Sequence, residues 1–164
     1  EIIVTLVFAV LVAISAFQTV TLQESAMEPT YSVSEKFFVN RALYKVSSPK
    51  RGDVIVFKTS ASDSAALHIR RVIGLPGETV QVKDGKIYIN GKVYEENGAY
   101  QDMTDGGLAN SAITLESGEY FVLGDNRNNS EDSRFSDIGN ISKKYIVGKV
   151  WFTVSPKNKI GFIK

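Results

Sequence analysis

The 164-residue chain contains no cysteine, which excludes zinc ribbons, thiol nucleophiles and disulfide frameworks. The absence suits an exported protein that needs no oxidative folding. His68 is the only histidine, and no Cys, Asp or Glu cluster stands near it at metal-ligand spacing, so nothing points to a metal. No cofactor is expected either. An excess of charge of one sign is also missing: 19 Lys and Arg against 18 Asp and Glu leave a net charge of +1. Such a balance gives no overall electrostatic footprint for nucleic acid. The remaining composition, 43% hydrophobic and 23% charged, is ordinary for a globular chain long enough for one domain with an appendage.

Long apolar runs are absent except at the start. Ile2 to Phe17 carries no charge, and Thr5 and Ser15 are its only polar residues. As a helix it covers about 24 Å, short of the roughly 30 Å hydrocarbon core of a bilayer. The chain opens on Glu1 rather than methionine, and the run is read as a membrane anchor over residues 1–18 that once continued upstream. No small-residue cleavage boundary follows it, which argues against a removed signal peptide.

After Phe17 the pattern becomes extended. Thr19–Leu22, Phe37–Asn40, Asp53–Phe57, Ile69–Ile73, Tyr120–Leu123 and Val147–Val154 read as strands. Asp84-Gly85 between Thr79–Lys83 and Lys86–Ile89 marks a hairpin, and Asn90-Gly91 marks a second turn. The first strand is expected to run into an extended segment at Ser25–Thr30. Glu95–Ala112 is polar and glycine-bearing, and is expected to be a long exposed loop. Residues 19–164 are therefore expected to form one mainly β domain.

Three segments carry chemistry: Ser25-Ala26-Met27-Glu28-Pro29-Thr30, Arg70-Arg71-Val72-Ile73-Gly74-Leu75-Pro76-Gly77, and Gly124-Asp125-Asn126-Arg127-Asn128-Asn129-Ser130-Glu131-Asp132-Ser133-Arg134. Together they resemble the motif set of bacterial type I signal peptidases, in particular the compact Gram-positive type. These are membrane-anchored serine endopeptidases that cleave signal peptides with a serine nucleophile and a lysine general base. The resemblance implies an antiparallel coiled β-sheet fold behind an N-terminal transmembrane helix, with the β domain on the extracytoplasmic side of the cell membrane. The family's nucleophile position, before the methionine of Ser-Met-x-Pro-Thr, is Ala26 here. The general-base position, before the arginine of Lys-Arg-x-x-Gly-x-Pro-Gly, is Arg70. Alanine has no atom with which to attack a carbonyl, and arginine keeps its proton at any accessible pH, so neither performs its step.

The third segment keeps every residue the family pattern specifies. The resemblance implies that Ser130 hydrogen-bonds the base, that Asp132 and Arg134 form a supporting ion pair, and that Asp125 helps hold Arg134. Met27 is expected to line the substrate pocket, with Ser25 beside it and Pro29 shaping the chain. An alternative reading makes Ser25 the nucleophile, although in an extended segment it faces away from residue 26. Glu24 stands where related enzymes often carry glycine or serine, and a carboxylate there repels a developing oxyanion unless it turns away. His68 is expected on the same strand face as Arg70, and Arg51-Gly52-Asp53 belongs to the family's own strand rather than to an adhesion motif.

Three functional readings stay open at this point. In the first, the chain is a type I signal peptidase, acting on signal peptides of exported precursor proteins, in a form disabled at the dyad. In the second, it is a natural non-catalytic relative that binds precursors, such as pilins, as an accessory factor in Gram-positive pilus assembly. In the third, it is an unrelated membrane-tethered β domain with a binding or structural role.

Overall fold

The computed structural model describes residues 1–62 and 64–163, leaving aside the side chains of residues 9–15. Helix α1 spans Ile2–Ala16. Its described side chains are bare, with Ile2 78% and Phe8 67% exposed. No helix among the described residues is long and apolar enough to cross a membrane, so the expected transmembrane helix is present only as this shorter apolar helix.

The chain then turns directly into β1 (Phe17–Thr21), followed by β2 (Lys36–Asn40), the single helical turn α2 (Leu43–Val46) and β3 (Val54–Phe57). Next come β4 (His68–Gly74), β5 (Thr79–Lys83), β6 (Lys86–Ile89), β7 (Lys92–Val93) and β8 (Ile113–Thr114). The chain closes with β9 (Glu119–Leu123), β10 (Ile141–Ser142), the long β11 (Ile146–Ser155) and β12 (Gly161–Phe162). Among the described residues one antiparallel sheet runs β1-β2-β11-β3-β4-β9-β10, with β12 added to β11. A smaller sheet runs β7-β6-β5-β8. The fold is thus mainly β, as the sequence pattern indicates.

Physical causes are local in the hairpin and tertiary elsewhere. Asp84, Gly85, Asn90 and Gly91 all take positive φ, the geometry that two-residue hairpin turns require. Strand β3 is buried along its whole length, because both of its faces are covered and its run of Val-Ile-Val-Phe has no polar side to offer. Val20, Leu22, Phe37, Val39, Val54, Val56, Ile69 and Val150 make one core cluster around the start of the main sheet. A second cluster joins the small sheet to β9 through Val80, Val82, Leu115 and Phe121.

Two expectations are corrected. Ser25–Met27 is a 3₁₀ turn, not an extended segment, so alternation cannot decide where Ser25 points. The 95–112 stretch is not simply exposed: Met103 and Ala109 enter the second core cluster, and Gly107–Asn110 forms a 3₁₀ turn.

Candidate active site

Strand β4 supplies the centre of the site. Its side chains alternate between faces, so His68 and Arg70 project together, and Arg71 projects to the opposite side. Arg70 is wholly buried. Its Nε donates to the Glu131 carbonyl oxygen at 2.7 Å, its Nη1 to the Ile69 carbonyl oxygen at 2.7 Å, and its Nη2 to Glu24 Oε2 at 2.6 Å. Glu24 also sits 2.9 Å from His68 Nδ1 through its other oxygen, off the line of a straight hydrogen bond. One carboxylate therefore faces both cationic-type groups on this side of the strand. Burial alone would raise the Glu24 carboxyl. The His68 ring and the Arg70 guanidinium outweigh it and hold the group at about 2, so Glu24 is an anion throughout the neutral range.

Ala26, at the nucleophile position, is buried. Its carbonyl oxygen accepts the Asn126 backbone N–H at 2.9 Å, and Asn126 Nδ2 donates to the Ser25 carbonyl oxygen at 3.2 Å. Ser25 Oγ accepts from Asn129 Nδ2 at 3.2 Å. Ser25 and Ala26 line an open cavity of about 760 Å³ together with Glu24, His68, Ser130 and Phe135. Met27 corrects the expectation. It is wholly buried in the first core cluster and lines no part of that cavity, so it anchors the turn from below. Pro29 is exposed at the surface, outside the cavity lining.

The Gly124–Arg134 segment is bound into the fold at nearly every polar atom. Arg134 Nε and Nη2 reach the two oxygens of Asp132 at 2.8 and 2.9 Å. Asp132 Oδ2 also accepts the Gly124 N–H at 3.1 Å. Arg127 pairs with both Glu96 oxygens and covers the Tyr100 ring at 4.2 Å. Asp125 does not hold Arg134. It takes both arms of Arg71, Nε at 2.8 Å and Nη2 at 2.6 Å. Pairing across the strand explains the difference: Arg71 lies opposite Leu123 on β9, two residues from Asp125.

Ser130 stands apart. Its Oγ is buried and has no hydrogen-bond partner among the described residues. The hydrogen bond expected between Ser130 and the group at position 70 is not made, because all three donating nitrogens of Arg70 turn to other acceptors.

The family model described as Signal peptidase, peptidase S26, matches residues 1–155. The chain belongs to the signal peptidase, peptidase S26, family. Signal peptidase I of Bacillus licheniformis is 34% identical over 97% of this chain and 88% of its own length. A signal peptidase I of Bacillus amyloliquefaciens is 37% identical over 97% of this chain and 87% of its own length. The solved structure of a signal peptidase I from Enterococcus faecalis matches with a TM-score of 0.51 at 32% identity, covering 64% of this chain and 98% of that one.

Within this family frame, sequence reasoning missed the Glu24–Arg70 pair. A signal for it existed. The sequence reading marks both positions as unlike the pattern it resembles, and the two carry opposite charges, which favours contact.

Proposed function

We propose that this chain is a naturally non-catalytic member of the signal peptidase family, tethered to the membrane through α1, which holds exported precursor proteins without cutting them. The observation that carries the reading is the buried Arg70 bonded to Glu24 in the place of a general base. A lysine base works because burial lowers its pKa towards neutrality. A lysine-to-arginine change made only to silence an enzyme has no reason to bring its own carboxylate. Glu24 supplies that carboxylate, which favours the natural relative over a disabled peptidase.

The tether rests on the bare apolar side chains of α1 and on the aromatic residues at its foot. Phe17 stacks on Trp151 with centroids 5.2 Å apart, and Trp151 meets Phe162 at 5.2 Å. Trp151 and Phe162 are exposed, as suits side chains at a membrane–water boundary. Signal peptides of exported precursors are the partners this reading gives the cavity beside Ala26, pilin precursors being those that the resemblance to dyad-lacking accessory proteins suggests. The cavity beside Ala26 is open and walled by Ser25, Ser130 and Phe135 as well as Glu24, which leaves room for an extended peptide.

Incubation with a precursor protein, followed by mass spectrometry, is expected to show no processing, while a labelled signal peptide binds with micromolar or weaker affinity. Processing above a protein-free control overturns the reading and makes Ser25 the nucleophile. Restoring activity is expected to need three changes together, Glu24→Ser, Ala26→Ser and Arg70→Lys. With Glu24 in place, a lysine at 70 sits against a carboxylate that favours its protonated form. The double change Ala26→Ser with Arg70→Lys is therefore expected to stay near background, and the groups should act as one unit.

A further inference from the structure

A second broad cavity lies away from the dyad positions. It has a volume of about 930 Å³ and is walled by Arg41, Lys45, Lys58, Lys143 and Lys144, with Gln18 and Tyr145 among its other lining residues. No described lining residue is an aspartate or glutamate. In a chain of net charge +1, five cations around one cleft are a marked concentration. Arg41 and Lys45 enter no ion pair among the described residues. Lys143 donates to the Ser47 carbonyl oxygen at 2.8 Å and to Ser48 Oγ at 3.2 Å, and Lys144 lies 4.8 Å from the Tyr145 ring. Those contacts hold the two ammonium groups in position, and no described carboxylate pairs with either.

Position gives the cleft its meaning. The Arg41 N–H donates to the carbonyl oxygen of Ala16, the last residue of α1, at 2.8 Å, and Gln18 is the second residue beyond the helix. The cleft therefore opens at the foot of the exposed apolar helix. We infer that it binds the phosphate of an anionic phospholipid headgroup, fixing how the β domain sits on the membrane. The inference rests on the reading of α1 as a membrane tether and is independent of whether the dyad site cleaves. A lipid is favoured over a soluble phosphate because the cations gather beside the helix that would enter the bilayer. A headgroup there is presented at the cleft mouth, and each surface-near Lys or Arg adds attraction to it.

Flotation of the full chain with vesicles tests both layers. Phosphatidylcholine vesicles alone should float the chain through α1, and failure to do so strikes the tether, not the cleft. Vesicles one-third phosphatidylglycerol should bind more tightly, the gain shrinking as salt rises. Arg41→Gln, Lys45→Gln and Lys144→Gln together should cost about fivefold in that gain for each charge removed. Lys83→Gln, Lys86→Gln and Lys92→Gln, exposed on the small sheet, remove the same net charge and should retain it. Equal loss in the two triple variants, or no gain for the unaltered chain, overturns the inference. So does complete suppression of the gain by millimolar inorganic phosphate at constant ionic strength, which would assign the cleft to a soluble anion.

Discussion

Arg70 and Arg71 are chain neighbours on β4, both buried, yet they face opposite sides and take different partners. Arg71 is the arginine that the family's base box specifies. It meets Asp125, which the third box specifies, in a two-armed pair in which neither partner is more than 9% exposed. Arg70 stands where the resemblance expects the base, and its partner is the Glu24 carboxylate. A permanently charged guanidinium in a buried site needs a counter-ion, and Glu24, at the start of the 25–27 turn, supplies one. The Arg71 pair is closed inside the fold, whereas Glu24 borders the cavity beside Ala26.

The sharpest way to break that comparison is to remove one acid from each pair. Asp125→Ala strands a buried guanidinium and is expected to cost about 3–5 kcal/mol of unfolding free energy, read by chemical denaturation. Glu24→Gln should cost less, about 2 kcal/mol, because the Glu24 side chain is 35% exposed and water can partly replace the lost anion. A larger loss at Glu24 than at Asp125 would reverse the roles assigned to the two arginines.

Acid titration sharpens the same point. The Glu24 carboxyl is held at about 2, below its ordinary value of 4.5, so its contribution to stability is complete above pH of about 4.5 and is lost as pH falls towards 2. The stability gap between the unaltered chain and Glu24→Gln should therefore be flat near neutrality and close as pH falls through that window. A gap that is unchanged at the acid end would mean that the carboxylate does not carry it.

The smallest effect is expected at Ser130. Its hydroxyl satisfies no partner among the described residues, and Ser130→Ala is expected to change stability by no more than about 0.5 kcal/mol or to raise it slightly. A loss above about 1 kcal/mol, measured by the same denaturation, would show that the hydroxyl still holds something.

Sequence reading succeeded where the cause of structure is local. The Thr79–Lys83 and Lys86–Ile89 strands came out residue for residue, because Asp84-Gly85 states its own turn. Strand β3 was legible from an apolar run too short for a helix. The 25–27 turn was not, since nothing periodic distinguishes Ser-Ala-Met from extended chain, and its shape is set by Asn126 closing on the Ala26 carbonyl oxygen. Burial of Met103 and Ala109 was hidden for a similar reason: their partners lie on the small sheet, and their own segment is polar. The exchange of partners between Asp125 and Arg134 depends on the register of β4 against β9, which motif spacing does not reveal.

The backbone at position 26 is fixed without help from its side chain. The Ala26 carbonyl oxygen is fastened to Asn126, and Gly124 passes so close that even a methyl there would strike that oxygen and the Ser130 hydroxyl. Shape at this point is set by the neighbouring loop rather than by the side chain at 26.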